Sequence, residues 1–164
     1  MFQMAHACPL HAHNSDVSSV TVRTDDADNT LQVELELSTE AAMALYGIPL
    51  GTQGTPPHRE DILPPLRKVA PDLFRFTIAG IALELREAHV EFREEDGLAF
   101  SLTYALPVDP PNPPLFKSEA LYLERLGAYH RAALTVVGPK GAILGGEVLN
   151  AERKSVVLPL PRNA

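Results

Sequence analysis

Three observations predict a mainly β protein. Apolar and polar residues alternate from about position 17 to 160, turn-forming residues separate the alternating runs, and no strand–helix–strand repeat interrupts them. Eight or nine short strands of this kind cannot each bury an apolar face alone. They predict an antiparallel β-sandwich, immunoglobulin-like, with one or two short helices in a connection. A length of 164 residues suits a single domain with one core. Residues 1–16 read as a flexible N-terminal arm and 17–164 as one β-sandwich domain.

The arm, MFQMAHACPLHAHNSD, has no apolar period. Val20 and Val22 then alternate with polar residues, Asp25, Asp26, Asp28 and Asn29 form a turn, and Leu31, Val33, Leu35 and Leu37 share one strand face. Glu34 and Glu36 face water on the other. Ser38-Thr39-Glu40 reads as a helix start, because a hydroxyl there accepts an orphan backbone N–H; Gly47 reads as its stop. Residues 48–58 are a loop. Pro64 and Pro65 predict a broken helical stretch, with a turn near Arg59 and a short helix over about 65–69. The helical pieces are expected to cover a sheet edge.

Phe74, Phe76 and Ile78 lead into an Ala79-Gly80 turn, and Ile81, Leu83 and Leu85 continue after it. Asp96-Gly97, between the runs 89–95 and 98–104, is a strong hairpin signal, since both residues tolerate positive φ. Five prolines within Pro107–Pro114 predict an extended connector without ladder hydrogen bonds. The run 121–126 fits either a strand or a helical turn. Residues 132–137, 142–149 and 155–160 predict three last strands, the first two joined at Pro139-Lys140-Gly141. Gly145 and Gly146 suggest a bulge.

Composition excludes several functions. A net charge of −7 argues against a nucleic-acid partner, whose phosphates need clustered Lys and Arg. No apolar window is long enough to span a membrane. The single cysteine, Cys8, rules out an internal disulfide or a CxxC motif. The arm lacks the basic and apolar regions of a secretion signal. Its triplets Ala5-His6-Ala7 and His11-Ala12-His13 nevertheless look like the end of one, as a chain starting near a cleavage site would. An ordinary terminus is the other reading.

The candidate metal ligands are His6, Cys8, His11 and His13. Imidazole and thiolate are the usual donors to zinc, nickel and copper, and closely spaced donors cost little loop-closure entropy. Their spacing matches no structural zinc motif, so adventitious binding is the alternative. A lipid on Cys8 would need a small residue where His6 stands. Asp25, Asp26, Asp28 and Asn29 lack the distal Glu of a calcium loop and read as a solvated turn. The run 138–146 lacks the Ser or Thr and the helix of a phosphate loop. No GxSxG motif occurs. His130 is a candidate base that Glu119 or Glu124 would orient, although a histidine in Tyr129-His130-Arg131 more often secures a loop. His58 and His89 read as surface residues.

The segment Leu121–Leu149 carries a Leu-rich run, His130-Arg131, a strand, a Gly turn and a closing Val148-Leu149. It resembles the extracytoplasmic N-terminal domain of hydrogenase/urease accessory (HupE/UreJ-like) membrane proteins, as do Ala12-His13 and Ser15 ahead of a strand. The resemblance, to a family whose membrane helices are credited with nickel or cobalt transport, implies an extracytoplasmic domain, in the periplasm or at the cell surface, that presents a metal ion or contacts a membrane protein. The family's membrane helices do not occur in this sequence, so transport is not carried over. The leading expectation is a non-catalytic binding domain linked to a transition-metal ion (Ni, Cu or Zn). An interaction module docking on a membrane partner, and a hydrolase using His130, are the alternatives.

Overall fold

A computed structural model describes residues 16–47 and 58–161. Two sheets form. The larger has six strands: β1 (Val17–Asp25), β2 (Thr30–Ser38), β5 (Leu85–Phe92), β6 (Gly97–Ala105), β8 (Arg131–Val137) and β9 (Ile143–Leu149), in the order β5-β6-β2-β1-β8-β9. The smaller contains β3 (Arg75–Ile78), β4 (Ile81–Ala82), β7 (Leu115–Glu119) and β10 (Ser155–Pro159), in the order β10-β7-β3-β4. Three short helices, α1 (Thr39–Ala44), α2 (Arg59–Val69) and α3 (Leu123–Leu126), fill connections. The mainly β, two-layer expectation describes this chain. The likeness to immunoglobulin domains stops there, since sheets of six and four strands exceed that arrangement.

The period-2 pattern produces the layers directly. Leu31, Val33, Leu35 and Leu37 are all buried, and so are Val20 and Val22 facing them across β1. Phe76 of β3 ties the layers together. Its ring lies 4.9 Å from Tyr104 of β6, 5.4 Å from Phe74 and 6.1 Å from Phe116 of β7. Such edge and offset contacts add to the area these rings bury.

Local signals hold at several points. Ser38 Oγ accepts the Ala41 N–H at 3.1 Å, capping α1; the helix itself ends at Ala44, and Gly47, at φ 101°, closes the turn that follows it. Ala79 and Gly80 take φ values of 50° and 79°, giving the tight β3–β4 turn. In the β1–β2 turn, Asp25 Oδ1 accepts from the N–H groups of Ala27 and Asp28. The run 121–126 resolves as helical in α3.

Four expectations are corrected. First, β1 pairs with β8 in parallel, Val20 opposite Leu134, so the large sheet is not wholly antiparallel. A long crossover through the smaller sheet returns the chain in the same direction. Second, α2 runs unbroken through Pro64 and Pro65. The carbonyls left without donors there are those of Glu60 and Asp61, which are exposed and can be hydrated. Helix α2 lies near the edge strand β5, whereas α1 lies near the interior strands β2 and β6. Third, at Asp96-Gly97 only Asp96 has positive φ (71°), because a one-turn 3-10 segment spans Glu94–Asp96 and Gly97 already belongs to β6. Fourth, the run after Gly80 does not continue as one strand. Leu83 N still bonds Phe76 O in the small sheet (2.8 Å), whereas Glu84 O accepts from Ala105 N in the large one (2.9 Å). The chain changes sheets there.

The suggested bulge falls at Leu144, where β8–β9 pairing steps from Val136–Gly145 to Val137–Ile143. Among the described residues no helix is long and apolar enough to cross a membrane.

Candidate functional site

The four arm donors, His6, Cys8, His11 and His13, lie outside the described residues. What the structure shows is where the arm is rooted. Asp16 O accepts the Arg131 N–H at 2.7 Å, so the chain enters β1 beside the start of β8. Beside this root is a hollow of about 410 Å³, lined among others by Ser19, Glu36, Ser38, Arg93 and Glu94.

His130 is fully buried (0% exposed), and so is Tyr122; Ser18 is 2% exposed. The three form a hydrogen-bonded chain. Ser18 Oγ lies 2.7 Å from the Tyr122 hydroxyl and 3.0 Å from His130 Nε2, and the Tyr122 and His130 rings meet edge-on at 6.4 Å. The fold explains the meeting. Ser18 occupies the inward position ahead of Val20 and Val22 on β1, and His130 precedes the inward residues Ala132 and Leu134 of β8. Tyr122 stands at the start of α3, where its N–H bonds Leu73 O at 3.1 Å. Burial pushes the Tyr122 hydroxyl's pKa far up, with the Ser18 bond opposing it weakly, so the phenol stays neutral.

This geometry is that of a structural clasp joining β1, β8 and α3. A base must reach its substrate, and this imidazole has no exposed surface. The carboxylates expected to orient it are engaged at the surface. Glu119 is paired with Lys117 at 2.7 Å and Arg75 at 3.4 Å, and Glu124 is held by Lys154. The Lys117 contact keeps the Glu119 carboxyl below its usual pKa. Arg131 donates to the carbonyls of Ala128 (3.0 Å) and His130 (3.2 Å), stapling the turn ahead of β8. His58 is exposed at the start of α2, and exposed His89 pairs with Glu87 at 2.7 Å.

The outward face of the large sheet carries most of its polar side chains on the middle strands. Register brings His89, Ser101, Glu34, Thr21 and Thr135 into one row across five strands, and Glu91, Ala99, Glu36, Ser19 and Ala133 into the next. Arg93 joins the two rows, lying 3.3 Å from Glu34 and 2.8 Å from Glu91. A hydrogen bond that the protonated Glu36 carboxyl donates to Glu34, with burial and repulsion from the same Glu34 carboxylate, raises the Glu36 pKa; Arg93 opposes this only in part. Beside them a recess of about 230 Å³ is walled by Thr21, Arg23, Gln32, Glu34, Ser101 and Thr103. Among the described residues no group of three or more His, Cys, Asp or Glu side chains is arranged to hold a metal ion.

Sequence reasoning missed Ser18 and Tyr122. A serine at the inward position of an otherwise valine-lined strand was the available signal, because a buried hydroxyl demands a partner. The hollow at the arm's root arises from pairing between distant strands and left no local trace. The chain matches no known protein-family model, and no curated protein is similar to it.

Proposed function

We propose that the chain is a non-catalytic, extracytoplasmic binding domain that handles a transition-metal ion through His6, Cys8, His11 and His13. The observation that supports binding over catalysis is the burial of His130. The histidine best suited by sequence to act as a base is hydrogen bonded to Ser18 inside the core, out of reach of a substrate. The likeness of 121–149 to the hydrogenase/urease accessory domains supports the compartment and the nickel or cobalt chemistry. Two to three imidazoles and one thiolate are a donor set that such ions accept at neutral pH once the thiol loses its proton.

Isothermal titration with Ni²⁺, Cu²⁺ and Zn²⁺ tests the reading on the full chain. It predicts saturable binding of one ion per chain. A His6→Ala, Cys8→Ser, His11→Ala, His13→Ala variant should lose that binding while melting at the same temperature. No heat with any of the three ions, or equal heat from the variant, rejects metal handling by the arm.

A further inference from the structure

The chain's change of sheets leaves a second feature. Strand β4 is the last of the small sheet and pairs only with β3, so among the described residues its outer edge carries no strand. Edges of this kind present free N–H and C=O groups and accept an added strand. Ile81 and Ala82 also line a recess of about 310 Å³, whose walls are completed by Ile78, Leu83, Leu106 and Pro111. The apolar surface here is conspicuously open: Ile81 is 72% exposed, and Val108 of the adjacent connector is 83% exposed. Glu84 and Asp109 stand in the lining, both exposed and neither in an ion pair among the described residues.

An open strand edge, an apolar hole large enough for a bulky side chain, and two unneutralised carboxylates around it fit one kind of occupant. We propose that the recess and the β4 edge receive an extended segment of a partner protein that carries a bulky apolar side chain flanked by lysine or arginine. The edge supplies main-chain hydrogen bonds, the recess takes the apolar anchor, and Glu84 and Asp109 select for positive charge next to it. A second copy of this chain fits less well, since its own edge carries the same negative charges and two copies would oppose them.

The test is fluorescence polarisation of the full chain with a labelled, end-blocked Lys-Val-Phe-Val-Lys peptide as probe, beside a Glu-Val-Phe-Val-Glu control. The expected result is saturable binding of the lysine peptide and none of the glutamate peptide. Reversing both carboxylates (Glu84→Lys, Asp109→Lys) should weaken lysine-peptide binding about tenfold or more. Ile81→Gln, at an exposed position that folding does not need, should weaken it independently of charge. The arm-donor variant should bind the peptide unchanged, which separates this site from the metal reading. No saturable binding of the lysine peptide, equal binding of both peptides, or indifference to both sets of substitutions overturns the proposal. So does a dimer in sedimentation velocity that Ile81→Gln dissociates, because a second copy would then be the occupant.

Discussion

Replacing Ser18 with alanine cuts the buried clasp at its centre. The substitution removes the bond to the Tyr122 hydroxyl (2.7 Å) and the bond to His130 Nε2 (3.0 Å), and no solvent reaches either group to replace them. Stranding a buried polar group costs about 1–3 kcal/mol. Two such losses, moderated because His130 keeps a further interaction, come to roughly 2–4 kcal/mol. In a domain of this size that corresponds to a melting temperature lower by roughly 4–16 °C. Urea titration and thermal melts followed by circular dichroism measure both quantities. The clasp also predicts coupling. Tyr122→Phe should be less costly in the Ser18→Ala background than in the native chain, since it then deletes a hydroxyl already without its partner. A coupling of about 1 kcal/mol is expected in the cycle. If Ser18→Ala changes stability by less than about 0.5 kcal/mol, or the two substitutions simply add, the bonds drawn here do not hold the strands together.

Two other predictions follow from the same physical chemistry. Among the described residues the buried Tyr104 hydroxyl has no hydrogen-bond partner, so Tyr104→Phe should leave stability unchanged or raise it by up to about 1 kcal/mol in urea unfolding; a clear loss would show that the hydroxyl is satisfied after all. Glu36 has a raised pKa in the folded state, so folding takes up protons there and its contribution becomes unfavourable as pH rises through the folded value. Glu36→Gln should therefore raise the urea midpoint at pH 7, and the gain should fade as pH falls below the ordinary carboxyl value of 4.5; a midpoint difference independent of pH would contradict the shared proton.

The elements that were legible in the sequence are those whose signals are local. Leu31, Val33, Leu35 and Leu37 fixed β2 and its inward face, Ser38 marked the start of α1, and Ala79-Gly80 marked a turn. Strand β7 was missed because its alternation is disguised: Ser118 fills an inward position while Leu115 faces out. The continuous course of α2 was hidden by Pro64 and Pro65, whose cost falls where exposed carbonyls can turn to water. The parallel β1–β8 pairing joins residues more than a hundred positions apart, and no local pattern encodes it. His130 stood out in the sequence as a base or a loop-securing residue, and the structure places its ring against Ser18 of β1. Its partners could not be named, because Ser18 and Tyr122 reach it only after the two layers close.

The account turns on the arm gathering an ion, and X-ray absorption at the zinc edge of the metal-loaded full chain addresses that most directly. The predicted first shell holds one sulfur at about 2.3 Å and two or three imidazole nitrogens at about 2.0–2.1 Å. A shell of oxygen alone, or a spectrum that the four-donor variant reproduces, would contradict it.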